Sequence, residues 1–87
     1  MYVIKKDGTQ EEFNVQKIVV AVNKSAARIL YNFSKEELDF LCGFAKEKAE
    51  SLKKEGITIQ EMHNIVEGAL EAVNPAVAKS YRDYRNY

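Results

Sequence analysis

Val3-Ile4-Lys5-Lys6-Asp7-Gly8-Thr9-Gln10-Glu11-Glu12-Phe13-Asn14-Val15-Gln16-Lys17-Ile18 passes from strand to helix chemistry within one short run. Tyr2, Val3 and Ile4 favour extended backbone, and Asp7-Gly8 is the dipeptide of a tight type I′ turn. Glu11 to Phe13 can then return as the second arm of a hairpin. Asn14 follows as a helix N-cap, because its side-chain oxygen can accept from an otherwise unpaired backbone N–H of the first turn. Beyond it Val15, Ile18, Val19, Val22, Ala26, Ile29 and Leu30 recur at three- and four-residue intervals, as one buried helix face requires.

Working outward, three further helices follow. Ser34 with Glu37 makes a capping box, and Leu38, Leu41, Cys42, Ala45, Ala49 and Leu52 form the stripe behind it, flanked by Phe40 and Phe44. Lys53, Lys54, Glu55 and Gly56 are expected to close that helix, with glycine as the stop. Ile57 separates it from Thr58, which pairs with Glu61 in a second capping box. Met62, Ile65, Val66, Ala69, Leu70 and Val73 then face inward. Asn74-Pro75 breaks and restarts the chain, and Val77, Ala78, Tyr81 and Tyr84 line an aromatic last helix. The expected class is α+β, mainly α: an N-terminal β-hairpin followed by four short helices in one domain over residues 1–87. The last segment, through Tyr87, still reads as amphipathic helix where the sequence stops, as in a piece cut from a longer protein.

Composition narrows the function. The chain has 87 residues, 46% hydrophobic and 30% charged, which is enough for one core and no second. Thirteen Lys and Arg balance thirteen Asp and Glu, whereas a domain gripping nucleic acid through its phosphates carries a basic excess. No nucleic-acid partner is expected, although a local basic cluster could hold one phosphorylated ligand. Cys42 is the only cysteine and His63 the only histidine, which rules out an internal disulfide and leaves a zinc site without ligands. A reduced, cytoplasmic setting fits, and the longest apolar run falls far short of a membrane span. No Ser–His–acid set, Walker loop or glycine-rich dinucleotide turn is present, so no catalytic residues are assigned.

The residues able to bind a ligand lie at the front. Lys17 stands in the first turn of the first helix, where free N–H groups and the helix dipole attract phosphate. Lys5 and Lys6 could close over the same point, and a triphosphate with Mg²⁺ would suit such a cluster. Each lysine taken alone reads equally well as solvated surface. Adjacent strand residues also point to opposite faces, so Lys5 and Lys6 share a pocket only if the turn redirects Lys6. His63 flanks the third helix's stripe, where pairing with Glu67 one turn on is the plainer role. Asn14 serves as a cap without any ligand, Glu11 as an exposed strand carboxylate, and Tyr81, Tyr84 and Tyr87 as aromatics packed inward.

The order of these pieces resembles the ATP-cone family. Residues 3–18 are similar to its opening hairpin and helix start, Ile57-Thr-Ile-Gln-Glu-Met-His-Asn-Ile-Val-Glu67 to its third helix, and Val77-Ala-Lys-Ser-Tyr-Arg-Asp-Tyr-Arg85 to its closing helix. The resemblance implies a small sheet capping a four-helix bundle, with ATP or dATP as allosteric effector, accompanied by Mg²⁺, beneath the hairpin. It implies that Lys5, Lys6, Lys17 and His63 meet the phosphates. Val3 and Ile18 would lie against adenine, with Glu11 near its edge, Asn14 by the ribose or phosphate, and Val22 as a wall. Such cones occur in ribonucleotide reductases and in a transcriptional repressor that carries a zinc ribbon. With no cysteine cluster here, the N-terminal module of a reductase is the expected parent, the anaerobic class favoured by the closing Tyr-Arg-Asp-Tyr-Arg. Its partners would be the adenine nucleotide, the rest of the reductase and neighbouring subunits. The competing reading is a helical protein-interaction or spacer module that binds no nucleotide.

Overall fold

The structure, a computed structural model, describes residues 1–85, with side chains through residue 83. The inward packing expected of Tyr84 and Tyr87 therefore lies outside the described residues. Two strands, β1 (Tyr2–Ile4) and β2 (Gln10–Glu12), pair antiparallel with Val3 opposite Glu11. The turn between them differs from the expected type I′. Lys5 N–H donates to the Thr9 carbonyl at 2.8 Å and Gly8 N–H to the Lys5 carbonyl at 3.0 Å, while of the loop residues only Gly8 has positive φ, at 87°. This is a type I turn followed by a left-handed glycine, the three-residue hairpin loop. Asp7 fixes it by accepting from Thr9 Oγ1 at 2.6 Å and Thr9 N–H at 3.0 Å.

Helix α1 (Val15–Ala27) starts at Asn14, whose Oδ1 accepts from Gln16 N–H at 2.9 Å. It stops earlier than its stripe suggests. Arg28 caps it, and Leu30 turns left-handed at φ 59°, with 92% of its surface exposed. Ile29 is also exposed, so the expected buried face loses its last two members. The chain turns away there because Tyr31 N–H returns to the Ala26 carbonyl at 2.9 Å.

Helices α2 (Lys35–Ser51) and α3 (Ile59–Val73) open with both expected capping boxes, Ser34–Glu37 and Thr58–Glu61. Leu52 caps α2, and Lys53 takes the left-handed position at φ 53° that glycine was expected to supply. Gly56 instead belongs to β3 (Gly56–Thr58), which pairs parallel with β1 to give the sheet order β2-β1-β3. A side chain at Gly56 would overlap the Tyr2 ring. This is close approach to a neighbour, not helix termination. Helix α4 (Pro75–Arg85) begins at Pro75, with Asn74 Oδ1 accepting from Ala76 N–H at 3.0 Å.

The helices close a ring in which α1 touches α2 and α4, and α3 touches α2 and α4. Val22, Leu41, Ala45, Ile57, Leu70 and Val77 fill its centre. The sheet lies across one end of the bundle, with β1 and β3 against α3. The architecture is the expected one, a small sheet on a four-helix bundle, with one strand added.

Candidate functional site

Three periodicities meet at one cleft under the hairpin. On the sheet, residues two apart share a face, and Val3, Lys5 and the cross-strand Glu11 all line the cleft. On α1 the positions i, i+3, i+4 and i+7 from the cap, Asn14, Lys17, Ile18 and Ala21, do the same. On α3 the same spacing gives Ile59, Met62, His63 and Val66, and Tyr81 of α4 closes the far side. The floor is apolar and the mouth charged.

Seven of the nine residues singled out from the sequence thus come together: Val3, Lys5, Glu11, Asn14, Lys17, Ile18 and His63. Lys6 does not line the cleft, because it sits on the turn and off the strand face that carries Lys5. Val22 is no wall either. One helical turn past Ile18, it has no exposed surface and belongs to the core. Met62, Val66 and Ile59 line the cleft but were not singled out, since a helical stripe marks apolar residues without telling which border a cleft.

The mouth is closed by ion pairs. Lys5 Nζ lies 2.6 Å from Glu11 Oε2, and Lys17 Nζ pairs with Glu11 Oε1. One carboxylate therefore bridges both cations. His63 packs edge-on to Tyr81, with ring centroids 6.1 Å apart at 79°. The Glu67 carboxylate beside it accepts from Arg82 at 2.6 Å, which ties α3 to α4 and holds Arg82 above its ordinary pKa. Helices α2 and α3 carry acids in their first turns, and α1 has none, so its positive end is not neutralised by its own turn.

The cleft holds about 170 Å³, below the roughly 300–1,000 Å³ that encloses a drug-sized ligand. A nucleotide would sit partly exposed unless the mouth opened. A wider hollow of about 480 Å³ lies on the other side of β2, lined by Phe13, Lys46 and Ala49 among others. There a single lysine faces Glu12 and Glu50, a poorer match for polyphosphate. Among the described residues no cluster of His, Cys, Asp or Glu could hold a metal ion, and no helix is long and apolar enough to cross a membrane. Burial pushes the Cys42 thiol up, with Asp39 adding to the effect, so it offers no ready thiolate.

Residues 1–87 match the family ATP cone domain. The chain belongs to the ATP cone family. A relative of this cone, the anaerobic ribonucleoside-triphosphate reductase of Haemophilus influenzae, is 35% identical over 86 residues. That alignment covers 97% of the cone but 12% of the relative, so the cone spans about an eighth of that protein's length.

Proposed function

We propose that this cone is the nucleotide-sensing module of a ribonucleotide reductase, of the anaerobic ribonucleoside-triphosphate type, and that it catalyses nothing itself. One observation carries the reading: an apolar cleft floor leads to two lysines beside the open positive end of α1. Val3, Ile18 and Met62 would cover an adenine ring, while Lys5 and Lys17 would hold the phosphates with the first N–H groups of α1. His63 stands at the same cleft and would add a donor, while Asn14 would lie near the ribose. Lys6 contributes long-range attraction from the turn, within a Debye length of the mouth.

Mg²⁺ would arrive on the nucleotide. The cleft carboxylate Glu11 is engaged by two lysines, and Mg²⁺ binds readily through phosphate oxygens and its own waters. ATP and dATP would act as opposing signals by stabilising different packings of the cone on the rest of the enzyme and its neighbouring subunits. They differ by one hydroxyl, so the coupling is on the order of 1–3 kcal/mol.

Calorimetric titration tests the assignment. dATP should bind the 87-residue chain, and Lys17→Ala should weaken it by about 1.5 kcal/mol, the lower end for a charge-assisted bond because Lys17 is largely exposed. Equal affinity in the variant removes Lys17 from the site.

A further inference from the structure

We propose that Glu11 is a tethered competitor for the phosphate locus, occupying the two lysines that a polyphosphate must reach. In taking a nucleotide's polyphosphate as the natural ligand, this rests on the reading above. The geometry is specific: Glu11 lies opposite Val3 on β2, keeps 25% side-chain exposure, and gives one carboxylate oxygen to each of Lys5 and Lys17. A phosphoryl group offers the same pair of oxygens with more charge. Both anions therefore contend for the same two cations.

The competition is unequal by design of the chain. Glu11 is held on a strand, so its effective concentration at the lysines is on the order of millimolar or above. A free carboxylate gains no stronger contacts than Glu11 and does not displace it. A polyphosphate has several oxygens and higher charge, and does. Every external anion meets the same penalty, because the competent state, with Glu11 displaced, is a fraction of the population. The residue thus sets a threshold that simple cellular anions fail and multiply charged ligands pass. Displacement also widens the mouth of the cleft, which is small while the bridge is closed.

The test is calorimetric titration of the 87-residue chain with inorganic tripolyphosphate and, separately, ATP, at several NaCl concentrations. Three proteins are compared: the natural chain, Glu11→Gln, and Glu47→Gln, an exposed site on α2 that makes the same change in net charge. Glu11→Gln should bind tripolyphosphate about three- to tenfold more tightly, the scale of two partly exposed ion pairs. Its affinity should also fall more steeply with salt, since solution anions then compete where Glu11 did. Glu47→Gln should match the natural chain. Tripolyphosphate binding that is unchanged or weaker in Glu11→Gln overturns the proposal, even if ATP binds well and the nucleotide reading stands. Conversely, a gain for tripolyphosphate with no added affinity from adenosine in ATP leaves the competitor in place and removes the nucleotide reading.

Discussion

Tyr31 and Glu37 show how much one side-chain pair can make stability depend on pH. Tyr31 O–H donates to Glu37 Oε2 at 2.6 Å, while Glu37 Oε1 accepts from Ser34 N–H at 2.9 Å. The tyrosine bond, more than the cap, holds the Glu37 carboxyl below its ordinary range, and the same bond raises the Tyr31 phenol. For Glu37 the unfolded chain binds the proton more readily, so its contribution is complete above about pH 4 and lost as pH falls through the lower folded value. For Tyr31 the sign reverses: its contribution is intact below about pH 10 and lost above it. Glu61, held down chiefly by Lys54, and Asp7, held down by Thr9, add to the acid side. Thermal melts should therefore be flat near neutrality and decline below about pH 4. Tyr31→Phe should shrink the acid decline and abolish this pair's share of the alkaline one. A second residue-scale device is Gly56. Gly56→Ala drives a methyl group into the Tyr2 ring and should destabilise by about 1–3 kcal/mol. Tyr2→Ala should suppress much of that loss in a double-mutant cycle read by urea unfolding, and additive losses would show that the ring is not the obstacle.

At the scale of elements, the joints between helices are where stability concentrates. Helix α1 leaves the Ser25 carbonyl near its C-terminal end, and Ile29 N–H, its regular helical partner, goes instead to the Ala26 carbonyl at 3.1 Å. Ser80 of α4 supplies the replacement, donating to the Ser25 carbonyl at 2.7 Å across a buried contact. Ser80→Ala should destabilise by about 1–3 kcal/mol, because a buried carbonyl loses its donor. Urea unfolding gives the value, and a change under about 0.5 kcal/mol would mean the carbonyl has found another donor. Leu30 behaves oppositely. It holds a left-handed conformation with its side chain in solvent, so Leu30→Gly should stabilise by about 0.5–1 kcal/mol through relief of backbone strain. Elements were also where sequence reading met its limits. Caps are local chemistry, and Asn14, Ser34, Thr58 and Asn74 all announced their helices. Strand β3 did not announce itself, because three residues carry no period and its partner β1 lies more than fifty positions away. The end of α1 was hidden for a related reason, since Ile29 and Leu30 continue the apolar spacing after the backbone has turned.

For the whole molecule, the cleft belongs to no single element. Strand, α1, α3 and α4 each supply one side, which explains why the cluster was legible in part. Lys5, Glu11, Lys17 and His63 carry chemistry that marks them in a bare sequence, whereas Met62 and Val66 look like any core residue until the bundle closes. Lys6 shows the converse: its charge marks it, yet the turn puts it off the cleft. A site shared among four elements also couples binding to the stability of all of them. A ligand that binds only the folded state stabilises it by RT ln(1 + [L]/Kd), about 2.7 kcal/mol at a hundredfold excess over Kd. In a domain of this size each kcal/mol moves Tm by roughly 4–8 °C, so saturating ATP or dATP should raise the melting temperature by on the order of 10 °C. GTP at equal concentration should raise it less if the apolar floor and its surroundings suit adenine. Because the ligand would bridge α1 to the hairpin and α3, hydrogen exchange should slow in all three together, not in the hairpin alone. Protection confined to residues 5–9 would mean that phosphate is held by the loop without the cleft, and a melting temperature indifferent to all three nucleotides would leave a bundle that binds none of them.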